Sequence, residues 1–184
     1  MFHMTKMQKP TEMLSAEHQN ILKLISALEK ECSALESGKP IDKAFFTRAI
    51  DFIRNYADKF HHVKEEDILF VELCKDSVSM HCNPTEQMRH EHEIGRGFVK
   101  GMEEALNSGS RQKLIENAQG YAQLLQEHIY KEDNILYPMA DEALNAQMQK
   151  SILNEFGKAE KKRFAKGVKE KYIALAKEFG KRAG

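Results

Sequence analysis

Phe60-His61-His62-Val63-Lys64-Glu65-Glu66-Asp67-Ile68-Leu69-Phe70 has a near-copy in His128-Ile129-Tyr130-Lys131-Glu132-Asp133-Asn134-Ile135-Leu136-Tyr137. Aligned on Lys-Glu-acid-x-Ile-Leu-aromatic, His61 matches His128 and Glu65 matches Glu132. Each copy sets a His and a Glu four residues apart. On an α-helix that spacing puts both side chains on one face, about one turn from each other. An imidazole and a carboxylate aimed at one point make half of a metal site, and two copies suggest a whole one.

Working outward, each copy ends a long helical pattern, and a further helix precedes each. The first pattern covers about 13–37, with Ser15 or Thr11 as the expected cap. Its apolar seam is Leu14, Ile21, Ile25, Leu28, Cys32 and Leu35, and His18 completes the run of threes and fours. Ser37-Gly38-Lys39-Pro40 ends it. The second pattern starts after Asp42, an expected N-cap, and runs to about Cys74. Its seam is Phe46, Ile50, Ile53, Ala57, His61, Glu65 and Ile68. The third covers about 84–107 with seam Met88, His92, Gly95, Val99, Met102 and Leu106. The fourth runs from about Arg111 past Ala140 with seam Leu114, Ala118, Tyr121, Leu125, His128, Glu132, Ile135 and Met139. Pro138 removes one backbone donor, so a kink or break is expected there. The remainder holds a short helical piece and a basic amphipathic helix near 159–179, with Phe164, Val168, Tyr172, Leu175 and Phe179 on one face.

Short connections make sequence neighbours antiparallel. The expected fold is therefore all-α: an up-down-up-down four-helix bundle over residues 11–145, with an additional C-terminal helix in a helical extension, 146–184, packed on it. The chain has 184 residues, enough for one core. Its 28 basic and 28 acidic side chains balance, so charge gives no case for nucleic acid or an anionic membrane. No apolar run approaches the roughly 20 residues that span a bilayer. The N-terminus has neither the apolar core nor the cleavage site of a signal peptide. Three cysteines without CxxC spacing fit a reducing cytoplasm better than a disulfide framework. Met1, Met4 and Met7 are all possible starts, and His3 is given no role.

Six polar groups on four seams, each unpaired, would cost about 1–3 kcal/mol apiece. That approaches the whole stability of a domain, roughly 5–15 kcal/mol. Cation binding turns the same groups into a source of folding free energy. Four imidazoles and two carboxylates are too many for one tetrahedral zinc. They fit two ions about 3.5–4 Å apart, and imidazole with carboxylate suits iron, manganese or zinc. His18 pairs with His61 on one ion, His92 with His128 on the other, and Glu65 and Glu132 bridge. Each ion keeps positions for water, O2 or another small ligand. One such His alone reads as an ordinary hydrogen-bonded core residue; four on four seams do not.

These pieces resemble the hemerythrin-like, or His-His-Glu cation-binding, family. The resemblance is carried by Glu17-His18, by His61-His62-x-Lys64-Glu65-Glu66 with Leu69-Phe70, by Glu91-His92-Glu93 with Arg96, and by His128 to Pro138. It implies a non-haem centre of two iron ions, with zinc or manganese as substitutes and an oxo or hydroxo bridge. It also implies a small diatomic or peroxide ligand: reversible O2 binding, oxygen or iron sensing, or handling of nitric oxide or peroxide. The oxygen carriers have His-x-x-x-His on their third helix. Here Arg96 follows His92 by four and Met88 precedes it by four. One His fewer favours redox chemistry or metal exchange over dedicated transport. Relatives that mend iron–sulfur centres carry an extra cysteine-bearing domain, for which this chain has no room.

His62 points about 100° from His61 on an α-helix, which leaves it between an additional ligand and a group bonded to Glu65 or Glu66. Glu17, Glu91, Glu66 and Asp133 are either imidazole-orienting or solvated acids. His90 and His81 read as surface, Cys32 as core, and Cys74 and Cys82 flank a loop where they could pair. No hydrolase triad or phosphate-binding loop is present. The functions in play are a reactive di-iron protein and an iron-sensing or iron-storing module without turnover; a structural bundle holding zinc or nothing is the third.

Overall fold

The computed structural model describes residues 8–80 and 83–184, so His81 and Cys82, with any pairing to Cys74, lie outside the described residues, as do Met1, His3, Met4 and Met7. The described chain is all-helical. Helix α1 is Pro10–Glu36, and Pro10 takes the first-turn position where its missing N–H costs nothing. The helix starts earlier than its apolar pattern suggests. Thr11 and Ser15 are not caps; their hydroxyls donate across the structure to Asp141 and Asp133, both at 2.6 Å. Gly38, at φ 89°, turns the chain out of α1, a conformation that favours glycine.

Helix α2 covers 43–73, begun by Asp42, whose carboxylate accepts from the Phe45 N–H at 3.0 Å. It is not a plain α-helix. Ile53–His62 and Glu65–Leu69 are π-helical, and the segment Phe70–Leu73 closes it. Helix α3 is Thr85–Ser108, ended by Gly109 at φ 69°. Helix α4 covers 111–143 and carries its own π-helical turn, Glu132–Leu136, immediately before the segment that contains Pro138. The chain stays helical through Pro138, so the expected break does not occur.

The two π-turns explain where the seams depart from a constant period. After Glu65 the pattern predicts Ile68, yet Leu69 and Phe70 are the buried residues. After Glu132 it predicts Ile135 and Met139, yet Ile135 is 48% exposed and Leu136, Tyr137 and Ala140 are buried. A π-turn inserts one residue, so every later side chain moves by one position. Both slips follow directly on the duplicated Glu.

Helix α3 packs on α4, and α1 packs on α4 and on the last helix. Gly101 and Gly120 permit the close α3–α4 approach: a Cβ there would meet Asn117 at 2.0 Å and Phe98 at 2.5 Å. The C-terminal segment forms two helices, α5 (Ala146–Arg163) and α6 (Val168–Ala183), and the break between them falls inside the amphipathic helix expected near 159–179. Gly167 at φ 87° makes the break. Helix α5 lies against the π-helical part of α2. Tyr172, Leu175 and Phe179 of α6 join the larger apolar cluster, and Phe164 stacks on Phe60 with centroids 4.5 Å apart. No helix among the described residues is long and apolar enough to cross a membrane. Apolar residues form two clusters. One runs from Ile21 and Phe60 to Leu125 and Ile129; the other holds Leu14, Leu69, Phe70, Met88, Leu136 and Tyr137. The inward-facing polar side chains lie between them.

Candidate metal centre

Helix periodicity brings His18, His61, His92 and His128 inward at one level, and each is at most 2% exposed. Glu65 and Glu132 join them with no exposure at all. The rings meet in two pairs. His18 Nε2 and His61 Nε2 are 2.9 Å apart, and so are His92 Nε2 and His128 Nε2. Both carboxylates straddle the pairs. Glu132 sets Oε2 3.2 Å from His18 Nε2 and Oε1 3.2 Å from His128 Nε2. Glu65 Oε2 lies 3.6 Å from His61 Nε2 and 3.5 Å from His92 Nε2. Neither Glu132 oxygen, nor Glu65 Oε2, has a well-aligned hydrogen-bond donor.

A second ring of carboxylates holds the imidazoles. The far nitrogen, Nδ1, meets Asp133 in His18 (2.9 Å), Glu17 in His61 (2.9 Å), Glu66 in His92 (2.6 Å) and Glu91 in His128 (2.8 Å). An acid on Nδ1 fixes the tautomer and turns Nε2 toward the centre. The acids are not where chain proximity suggests. Glu17 and Glu91 serve imidazoles on other helices rather than the His that follows each of them. Lys64 and Lys131, the same position of the repeat, donate to Glu17 and Glu91 and close the two chains of contact. Lys64 is fully buried there and also covers the Phe60 ring at 3.8 Å. The sequence signal for these lysines is their recurrence at one position in both copies of the repeat.

The electrostatics follow from burial and from these contacts. Burial alone would lower His18, but Asp133 and Glu132 outweigh it and hold it at about 9. Burial likewise opposes His128, and Glu132 and Glu91 hold it at about 10. Their partners go the other way. Burial and the neighbouring His18 push His61 well below its ordinary value, and burial lowers His92 despite Glu66. Burial and the nearby charge of Glu132 push Glu65 up. Each pair thus combines a cationic ring that donates and a neutral ring that accepts.

His62 is drawn into the centre, where an α-helix would have turned it away. It is 5% exposed, and burial with the neighbouring His92 lowers it to about 3. Two overlapping groups could each hold an ion: His18, His61, Glu65 and Glu132, and His62, Glu65, His92 and His128. Tyr137 closes the first by stacking on His18 (centroids 5.6 Å apart) and donating to Glu65 Oε1 at 2.5 Å. A cavity of about 100 Å³ adjoins the second, lined by His62, Gly95, Val99, Tyr121, Leu125 and His128 among others. The Tyr121 hydroxyl is buried there without a partner among the described residues. His90 is exposed and Cys32 buried, away from the centre.

A family model described as the hemerythrin HHE cation binding domain matches residues 9–140. No curated protein and no solved structure matches the chain.

Proposed function

The chain belongs to the hemerythrin HHE cation-binding family, and from that premise we propose that it is a non-haem di-iron protein that binds or reacts with O2, peroxide or nitric oxide. The observation that carries this reading is the pair of fully buried carboxylates, Glu65 and Glu132, each facing both imidazole pairs, with Glu65 Oε2 and both Glu132 oxygens lacking a well-aligned hydrogen-bond donor. Buried acceptors without donors are costly, and cations relieve them. His18 and His61 would hold one ion, His92 and His128 the other, and the two glutamates would be shared. Bound iron supplies a redox-active, Lewis-acidic centre for a small ligand. The four long helices are read as an up-down-up-down bundle over 11–145, with 146–184 as an extension packed on it. A reducing cytoplasm suits the cysteine pattern.

The remaining steps belong to the chain. Asp133, Glu17, Glu66 and Glu91 accept from each Nδ1–H, so each Nε2 is turned inward, and on His18 and His128 the Nε2 proton would give way to a cation. Lys64 and Lys131 offset the charge of the outer acids. The two apolar clusters exclude bulk water, and the cavity beside His128 admits molecules of a few atoms.

The test is anaerobic purification, elemental analysis and an optical spectrum before and after O2, hydrogen peroxide, nitric oxide or azide. Two irons per chain and a spectrum that responds are expected. Two irons with no response to any of these would move the assignment to an iron-sensing or iron-storing module. A chain that takes up no iron sinks both.

A further inference from the structure

We propose that His62 is a fifth imidazole donor and completes the half of the centre built on His92 and His128. The inference rests on the two-cation reading above. Four observations carry it.

The first is the supply of donors. Helix α3 contributes one inward imidazole, because Met88 and Arg96 occupy the positions four residues either side of His92. Arg96 is committed elsewhere, to Asp58 (2.7 Å) and Glu66 (2.8 Å). Helix α3 therefore has no further nitrogen to offer this half at those positions.

The second is position. A ring nitrogen of His62 lies within 4.8 Å of donor atoms on Glu65, His92 and His128. The ring stacks on His92, with centroids 3.7 Å apart and planes at 14°, so sharing an ion with His92 requires it to tilt out of that stack.

The third is the orienting acid. Each of the four inner imidazoles has a carboxylate on Nδ1 and its Nε2 toward the centre. His62 repeats the arrangement, with Nδ1 3.5 Å from Asp58 Oδ1. That is longer than the 2.6–2.9 Å of the other four and too long for a well-formed bond, and the buried Nδ1 has no hydrogen-bond partner among the described residues. Asp58 is in turn held by Arg96, which also holds Glu66, the acid on His92.

The fourth is backbone. His62 ends one π-helical stretch and Glu65 begins the next. A wider turn rotates less per residue, so consecutive side chains diverge less than on an α-helix, and π-turns concentrate at functional sites. His61 can then serve one half of the centre while His62 serves the other.

The two cation positions are therefore unequal. One has two imidazoles, the other three, with Glu65 and Glu132 common to both.

The experiment strips the full chain with a chelator and reloads it anaerobically with Fe(II). It measures bound metal per chain under chelator competition, imidazole scattering by X-ray absorption, and the melting temperature of the metal-free protein. The wild type, His62→Ala, His62→Gln and, as a reference, His61→Ala are compared. His62→Gln keeps a polar side chain beside Asp58 should His62→Ala fail to fold. Both His62 variants are expected to weaken one ion at least about tenfold and spare the other, with one imidazole per chain lost from the scattering. His61→Ala removes the other ion. Wild type and His62 variants with the same two affinities and the same scattering would overturn the inference and leave the two-cation reading intact. A lower metal-free melting temperature with unchanged affinities would overturn it too, since that is what a purely structural imidazole gives. A wild type that never holds a second ion overturns both.

Discussion

The two halves of the centre are built from the same repeated words and end up in different surroundings. Each has an Nε2–Nε2 pair at 2.9 Å, an acid on every Nδ1 and a lysine behind one acid. Around the His18–His61 half, Lys64 is 1% exposed, and Tyr137 covers His18 while donating to Glu65. Around the His92–His128 half, Lys131 is 35% exposed, Phe70 stands in place of the tyrosine, and a cavity adjoins the imidazoles. The repeat sets which groups face inward. The residues one layer out decide which half a small molecule can reach, and they favour the second.

The largest effect comes from what the halves share. Glu132→Gln should lose most of both ions, because Glu132 faces His18 and His128 alike. Elemental analysis after gel filtration checks this, and retention of both ions would break the claim that the carboxylate is common property.

Proton linkage comes next. In metal-free protein, His18 at about 9 and His128 at about 10 lie above the ordinary 6.5. The stability they contribute is fully present below about 6.5 and is lost as pH rises through 9 to 10. His61, His62 and His92 are shifted down, so their contribution is present above about 6.5 and declines as pH falls below it. Melting temperature of the metal-free chain should therefore peak near neutral pH and fall on both sides. Cation affinity should rise from pH 6.5 to 9 as protons cease to compete. A flat melting profile across pH 6.5–10 would refute the alkaline limb.

The lysines test the asymmetry itself. Removing Lys64 leaves Glu17 buried without its cation and should cost about 3 kcal/mol. Removing Lys131, 35% exposed, leaves Glu91 its bonds to Gln87 and His128 and should cost about 1 kcal/mol or less. Denaturant unfolding of Lys64→Ala and Lys131→Ala measures both, and equal losses would erase the contrast.

The smallest effect should be on ligand access. A Cβ at Gly95 would make ordinary contacts with Leu125, Leu124 and Tyr121 at 3.6–3.8 Å. Gly95→Ala therefore fits while filling part of the cavity. It should weaken azide binding to the iron-loaded protein by about tenfold, roughly 1.4 kcal/mol, with both irons kept. Tyr137→Phe should leave azide affinity unchanged if ligands enter from the second half; an optical titration compares the two.

Much of this was legible in the residues. Period and spacing alone mark four inward seams, place His18, His61, His92 and His128 on them, and give Glu65 and Glu132 to the same level. Those inferences are local, and helix geometry enforces them whatever the helix packs against. The all-helical class follows in the same way. What a constant period misses is the π-turn at each duplicated Glu, which exchanges Ile68 for Leu69 and Ile135 for Leu136 at the core, and the earlier π-helical stretch Ile53–His62, at whose end His62 is buried. Only the tertiary structure decides that Glu17 serves His61 and not His18, that Asp133 reaches His18 across from another helix, and that Tyr137 closes one half while the other keeps its cavity. The reason is distance. A helix sets the direction of a side chain from its own turn, but which acid meets which imidazole depends on how far apart neighbouring helices pack, and no single helix carries that in its sequence.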